Sequence, residues 1–399
     1  MRVALISTYP PAECGIGNYA RELREAVTAQ AHDVEVSVLA ERTGVAGTDD
    51  GGVVRTWDRR GNWPREIAAA VARAGVDAVH IQHEESLFGQ GRRFLGLLDA
   101  IRALGVRTVV TLHTVYDRRV TIPPMSPGRS FHRQLARACD AIVVHQHPGM
   151  GDVLLGHGVP AEQVHVIAHG TPDLVLPDAT TARRALGLPD AAPIALFFGF
   201  IHRRKNVHIA VRAFERITAR IPEARLVIAG RIRRSVPFDD RYARSLWLLM
   251  RRGIEAGRII YRPGFIPADH KAAYFAAADV LLLPHGQPYG SASGVLHEAL
   301  AARRAIVCSR GKKFAEATDV LCDVMPDAAP VAGDVAGWER ALASLLGDEV
   351  ARERVNSLVG ELAASTSWRS SGQRHAAVYR SLADAKEPSV SPGARAESL

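Results

Sequence analysis

Cysteine is scarce and scattered in this chain. Cys14, Cys139, Cys308 and Cys322 form no C-x-x-C pair and keep no regular spacing, which argues against a zinc cage and against a disulfide framework and reads each as a small buried side chain. Long apolar runs are lacking too: none approaches the roughly 18 residues a membrane span needs. The opening Met-Arg-Val-Ala-Leu-Ile-Ser-Thr carries only a strand-length apolar run, shorter than the core of a signal peptide, so a cytoplasmic protein is expected. No block of five or more like charges occurs, although 50 Lys and Arg, nearly all Arg, face 42 Asp and Glu for a net charge of +8. That balance tolerates nucleic acid, an anionic membrane surface or a phosphorylated substrate without choosing among them.

What is present is an ordinary globular composition, 47% hydrophobic, 23% charged and 6% aromatic. At about 100 to 200 residues per domain, 399 residues favour two domains or one large one. Strand-like runs at Arg2 to Ser7, Val34 to Ala40, Ala78 to Gln82, Thr108 to Leu112, Ala141 to His145 and Val164 to Ile167 alternate with helical spacing at Asn18 to Ala31, Pro64 to Ala74, Phe94 to Leu104, Phe131 to Ala138 and Met150 to His157. The pattern lapses between Leu174 and Asp190, around Pro177 and Pro189. It restarts with strands at Ile194 to Gly199, Arg225 to Gly230, Ile259 to Arg262, Val280 to Pro284 and Ala305 to Ser309, and helices at Val207 to Ile221, Arg241 to Gly253, Asp269 to Ala277 and Gly294 to Ala302. Such alternation predicts an α/β protein of two Rossmann-like parallel-sheet domains, 1–175 and 176–367, facing a central cleft. The stretch 386–399, rich in Pro, Ser and charge, reads as a disordered tail.

Ligands of parallel sheets sit beyond the carboxyl ends of strands, so the loops there are the places to search. After the first strand, Gly15-Ile16-Gly17 opens a helix whose free amides suit a phosphate. Read literally, Gly15-x-Gly17-x-x-Ala20 also fits a dinucleotide fingerprint with Glu41 on a ribose, although about seven loop residues separate it from the strand. In Gly199-Phe200-Ile201-His202-Arg203-Arg204-Lys205, a basic run meets a strand end and a helix start, an arrangement suited to a diphosphate. From Gly290 to Val295 a glycine- and serine-rich turn precedes a helix, and Glu298 lies one turn inside it, placed for paired hydroxyls such as a ribose offers.

The spacing of Gly199 and Lys205, the turn Tyr261-Arg262-Pro263-Gly264-Phe265-Ile266, the run Ala278 to Pro284, and Glu298-Ala299-Leu300-Ala301 resemble retaining glycosyltransferases of family 4, of the GT-B fold. The N-terminal Tyr-Pro-Pro and Gly-x-Gly loop, the segment Val166 to Thr171 and the late Ser367-Trp368-Arg369 are similar to the same family. The resemblance implies that Lys205, with Arg204, His202 and Arg203 near it, binds a donor diphosphate, and that Glu298 holds the ribose. It further implies that Ser293, Gly294 and Val295 cap the phosphates while Gly15, Ile16 and Gly17 close over them. Phe265 and Ile266 would meet the base, His113 would lie near the reacting sugar, and a helix at about 368–385 would return to the first domain. No cofactor and no metal are implied, and the sequence has no Asp-x-Asp. The expected partners are a nucleotide-sugar donor and a small-molecule, glycan or lipid-linked acceptor, not nucleic acid; peripheral membrane contact is compatible, and the oligomeric state is unspecified.

Two positions depart from the family pattern. Phe200 stands where an Arg is common, with His202, Arg203 or Arg204 available to supply the charge. Of two Glu eight residues apart, only Glu298 is present, because counting back gives Gly290; aligned with an insertion, Gln287 takes the place instead. These departures keep open a nucleotide-sugar-binding relative that does not transfer, and the Gly15 loop keeps open an NAD-dependent oxidoreductase.

Overall fold

The computed structural model describes residues 1–42, 51–117, 128–146, 148–232, 238–286 and 289–384, without the side chains of 238, 239, 268 and 269. The expected tail at 386–399 and Gln287 lie outside the described residues. The strands are β1 (Arg2–Ser7), β2 (Glu35–Glu41), β3 (Val53–Trp57), β4 (Ala78–His83), β5 (Arg107–Leu112), β6 (Thr114–Val115), β7 (Ala141–Val144), β8 (Val164–Val166), β9 (Ile194–Phe198), β10 (Arg225–Gly230), β11 (Ile259–Pro263), β12 (Val280–Leu283), β13 (Gly290–Ser291) and β14 (Ala305–Cys308). The chain forms two compact units. Met1–Thr111, Gln134–Val143 and Gly372–Leu399 make the first; Leu112–Arg133 and Val144–Ser371 make the second.

In the first unit the sheet runs β3-β2-β1-β4-β5-β7, with parallel pairing of β1 to β2 and β4, β2 to β3, and β5 to β7. β1 is buried from Val3 onward and β4 throughout, the continuous burial expected of parallel strands covered on both faces. β3 has no counterpart among the sequence expectations. Only its terminal residues are buried, and Arg55 and Thr56 interrupt its apolar pattern, as befits an edge strand. The Trp57 indole holds it by donating to Leu39 O at 3.0 Å.

The first helix spans Gly15–Gln30, three residues earlier than the apolar periodicity suggests. Its start is set by packing: a Cβ on Gly17 would sit 3.2 Å from the Thr8 and Tyr9 backbone. The last helix, Trp368–Asp384, belongs to this unit from Gly372 onward. A Cβ on Gly372 would come within 2.7 Å of the Ala26 backbone, so the two helices approach closely. The Tyr379 hydroxyl lies 2.7 Å from His80 Nδ1, and His80 Nε2 lies 2.6 Å from Thr111 Oγ1.

The second unit carries the parallel sheet β11-β10-β9-β12-β14. Phe197, Phe214, Phe275 and Trp338 are fully buried in its core. The helices Val335–Gly347 and Glu349–Ser365, to which the periodicity reading assigns nothing, complete that core through Trp338, Leu342 and Val355. At the carboxyl ends of β9 and β10 the backbones nearly touch. A Cβ on Gly230, at φ +153°, would lie 1.8 Å from Gly199 O, so only glycine fits there.

Candidate functional site

β9 ends at Phe198, and Gly199 turns the chain at φ +112° into a short 3-10 turn, Arg203–Lys205, before the helix Val207–Ile217. The basic residues of this turn diverge. Lys205 Nζ donates to His285 Nε2 at 2.9 Å, and Arg204 donates to the Tyr289 hydroxyl at 2.9 Å with its guanidinium 5.9 Å above that ring. Arg203 instead lines a cavity with Arg212 and Arg241, and His202 is half-buried. Beside Phe200 a cation arrives from the neighbouring strand: the Arg231 guanidinium lies over the Phe200 ring at 5.6 Å and over Phe265 at 5.8 Å. His285 is 3% exposed, and burial, with the Lys205, Lys313 and His202 charges, pushes its imidazole well below the ordinary histidine range. It is therefore a neutral acceptor for the Lys205 ammonium.

The glycine- and serine-rich turn lies against the same strand end. A Cβ on Gly199 would be 3.5 Å from Val295 Cγ2, which sets the start of the helix Gly294–Ala301 beside the β9 turn. Ser293 caps that helix by accepting from Leu296 N at 3.3 Å. Lys313, nearly buried, donates to Ser291 Oγ at 2.9 Å and to Ala292 O at 3.1 Å, while Gln146 Nε2 reaches Ser291 O at 3.3 Å and Lys313 O at 2.8 Å. Glu298 accepts from Lys271 at 2.6 Å. Phe265 is 46% exposed after Gly264, at φ +120°, and Ile266 is half-buried.

His113, 6% exposed, follows β5 directly, and the next residues, β6, pair antiparallel with β13. Gly290 in β13 fits because it has no side chain: a Cβ there would be 2.3 Å from Gly149 O and 2.8 Å from Met150 Cγ. His113 heads a file of imidazoles. Ring centroids lie 5.0 Å apart for His113 and His145, 5.7 Å for His145 and His169, and 4.7 Å for His169 and His297. His113 Nδ1 is 3.3 Å from His145 Nε2, and His145 Nδ1 is 3.1 Å from Ile167 O. His297 lies 2.8 Å from Thr171 Oγ1 and 3.3 Å from Glu316 Oε1. Burial pushes His145 down to about 4 and holds His169 well below its ordinary range. A Cβ on Gly294 would be 3.9 Å from His169 Nε2, so the file also reaches the capped helix start.

In the first unit, Gly15, Ile16 and Gly17 open their helix after Cys14, whose side chain makes no capping bond. The Glu41 carboxylate, 4% exposed, is engaged at both oxygens by Arg59, which commits it to an ion pair instead of a dinucleotide ribose. Sequence reasoning passed over His145, His169, His285, His297, Lys313 and Gln146. One signal was available for Lys313: the chain has only five lysines, and Lys205 and Lys313 both lie close to His285. The histidines give no such signal, being single residues far apart in the chain.

Residues 192–348 match the family model described as glycosyl transferases group 1, and residues 14–173 match glycosyltransferase family 4. Together the matches take in more than three quarters of the chain. A D-inositol 3-phosphate glycosyltransferase of Xylanimonas cellulosilytica is 27% identical over 272 residues, 63% of this chain and 60% of that protein. Its counterpart from Corynebacterium kroppenstedtii is 26% identical over 300 residues, 71% of this chain and 63% of that protein. The chain thus spans about three fifths of the length of the curated relatives it matches. Among solved structures, sucrose-phosphate synthase of Thermosynechococcus elongatus superposes with a TM-score of 0.72 at 19% identity, over 97% of this chain and 100% of that one. Anabaena HepE in complex with UDP-glucose gives 0.70 at 14% identity, over 95% and 99%. These likenesses assign the GT-B fold.

Proposed function

Because the chain belongs to glycosyltransferase family 4, we propose that it transfers a sugar from a nucleotide-diphosphate sugar, a UDP- or GDP-sugar, to an acceptor hydroxyl with the anomeric configuration retained. The observation that carries this reading is the meeting of the β9 turn and the helix Gly294–Ala301, with Lys205 tethered to His285 beside them. A fixed ammonium and the first amides of a helix form a diphosphate site. Glu298 is set one turn further on, where it would accept from the ribose hydroxyls, and Phe265 and Ile266 would meet the base. The complex of HepE with UDP-glucose, a protein of the same fold, supports a donor of this class.

In this reading the bond between the anomeric carbon and the diphosphate oxygen breaks as the acceptor oxygen bonds to the same face of that carbon. The acceptor's proton passes to the departing diphosphate. Lys205, Arg204 and the amides of Ser293, Gly294 and Val295 take up the charge developing on that leaving group, the largest catalytic contribution. These cations make the proposed transfer independent of a divalent metal, so a chelator should leave turnover unchanged. Cys14, Cys139, Cys308 and Cys322 form no disulfide with one another. Among the described residues no helix is long and apolar enough to cross a membrane.

A second reading, a nucleotide-sugar-binding protein without turnover, is favoured by Gly290, where no side chain and hence no carboxylate fits. Melting the protein with UDP, GDP, ADP, TDP and CDP, their sugar conjugates and NAD separates the possibilities. A ligand at 100 times its dissociation constant adds about 2.7 kcal/mol to stability. A shift with one nucleoside diphosphate, lost in Lys205→Ala and Glu298→Ala, supports the donor site, and turnover of the matching sugar nucleotide decides between transfer and binding. Stabilisation by NAD alone, or by none of the panel, overturns both readings.

A further inference from the structure

The helix Phe238–Glu255 buries one side and leaves an unusual one in solvent. Leu246 and Met250 are 3% and 2% exposed, whereas Trp247 is 47% and Leu248 61% exposed. Arg241, Arg244, Arg251 and Arg252 are exposed as well. At 100° per residue these four arginines gather around Leu248, with Trp247 at their edge. The acids of the helix, Asp239, Asp240 and Glu255, stand at its two ends, and Glu255 lies 3.7 Å from Arg251.

Beside this face opens a cavity of about 770 Å³ lined by Arg203, Arg212, Arg241, His208 and Tyr242 over Leu246 and Leu249. Among the described residues no Asp or Glu lines it. Arg203, Arg212 and Arg241 make no ion pair or side-chain hydrogen bond with another described residue. Elsewhere in the same unit Arg183, Arg216 and Arg258 each have an acid partner. Three guanidinium groups around one cavity create a field that an anion would satisfy.

We propose that this face docks on an anionic lipid bilayer. Trp247 and Leu248 enter the headgroup region, where an indole and an aliphatic side chain both gain. Arg241, Arg244 and Arg252 lie along the lipid phosphates, and the cavity arginines take one of those phosphates between them. A soluble phosphate would engage the cavity, which Leu248 also lines, and leave the outward Trp247 unexplained. The inference is independent of the sugar-transfer reading, because it uses residues on the helices Phe238–Glu255 and Val207–Ile217 together with Arg203, whose side chain parts from those of Arg204 and Lys205.

The test is flotation of the full chain with vesicles of phosphatidylcholine, with and without a third of phosphatidylglycerol, at about 0.1 M salt, where the Debye length is near 10 Å. The expected result is binding to the anionic vesicles and not to the neutral ones, with a blue shift of tryptophan emission that is absent in Trp247→Phe. Arg241→Glu with Arg244→Glu should lower partitioning by about tenfold or more, at roughly 1 kcal/mol per basic residue at the surface. Trp247→Ser with Leu248→Ser should lower it several-fold. Should the charge reversals lower the melting temperature, Arg241→Gln with Arg244→Gln carries the same test. Equal binding to neutral vesicles, or binding indifferent to these substitutions, overturns the proposal. So does release of the protein from vesicles by millimolar pyrophosphate, which would mark a soluble-anion site, or equally tight retention on tRNA, which would mark a general polyanion surface.

Discussion

His145 fixes the proton of His113. Its Nδ1 stands 3.1 Å from Ile167 O, and a carbonyl only accepts, so that nitrogen carries a hydrogen. Burial holds the ring neutral, with its pKa pushed down to about 4, so Nε2 is bare and accepts from His113 Nδ1 at 3.3 Å. His113 is thereby held with a hydrogen on Nδ1, directed at His145. His145→Phe, which keeps bulk and removes the acceptor, should lower kcat/KM for the sugar nucleotide by about tenfold, the worth of one oriented hydrogen bond. His145→Gln, which keeps an acceptor, should recover most of it. The pH profile should shift in the Phe variant, since His113 loses the neighbour that sets its tautomer. Equal kinetics and an unchanged pH profile in both variants would show that His145 only fills space.

His285 has the opposite signature. Its Nε2 accepts from Lys205, yet its Nδ1 is buried without a hydrogen-bond partner among the described residues, a state costing about 1 to 3 kcal/mol. The ring also packs 5.0 Å from Phe314, a contact an aliphatic side chain can keep. His285→Leu should therefore leave the melting temperature unchanged or raise it, while weakening nucleoside diphosphate binding about tenfold as Lys205 loses its tether. A drop in melting temperature with unchanged binding would assign His285 to packing alone.

Stability should fall on mild acidification in both units. Burial pushes His83 in the first unit and His145 in the second down to about 4, from an ordinary value near 6.5. The unfolded chain takes up those protons first as pH falls, so the contribution is complete above about 6.5 and is lost progressively toward 4. At pH 5 each histidine should account for about 2 kcal/mol of lost stability. Urea midpoints at pH 7.5 and 5 measure the loss, and His83→Phe with His145→Phe should reduce it, leaving the share of His169 and His285, which burial also holds low. Midpoints independent of pH in the unsubstituted protein would contradict it.

The order of strands and helices was legible because parallel strands buried on both faces write themselves as apolar runs, as in β1, β9 and β12. The edge strand β3 was not, because the polar Arg55 and Thr56 break the run. The first helix starts three residues early for a reason that lies outside its own sequence, the close approach of Gly17 to Thr8. In the candidate site, Gly199, Lys205 and Glu298 were legible because each lies at a strand end or helix start with a recognisable turn. The sequence offers His202, Arg203 or Arg204 to supply the charge missing at Phe200, whereas Arg231 reaches that ring from the next strand. Neighbouring parallel strands are separated in sequence by a whole crossover helix, so such a pair has no local signature. The histidine file was illegible for the same reason: tertiary packing, not spacing, brings His113, His145 and His169 against one another and against His297 of the helix Gly294–Ala301.

Gly290 offers the sharpest test of the departure from the family's pair of acids. If the missing carboxylate were a simple loss, Gly290→Glu would restore it. The geometry opposes that, because the first atom of any side chain there would lie 2.3 Å from Gly149 O and 2.8 Å from Met150 Cγ. The Met side chain can rotate away, but the Gly149 carbonyl is backbone and moves only with its turn. That turn is itself held: Gly149 N donates to Asp152 at 2.6 Å, and Gly149 sits at φ +113°. Gly290→Ala should therefore already destabilise the protein by about 1 to 3 kcal/mol through overpacking, and Gly290→Glu by more. Nucleoside diphosphate binding should weaken in step as β13 separates from β6. A stable Gly290→Glu protein with raised turnover would mean that the β13 turn yields and that a carboxylate belongs there.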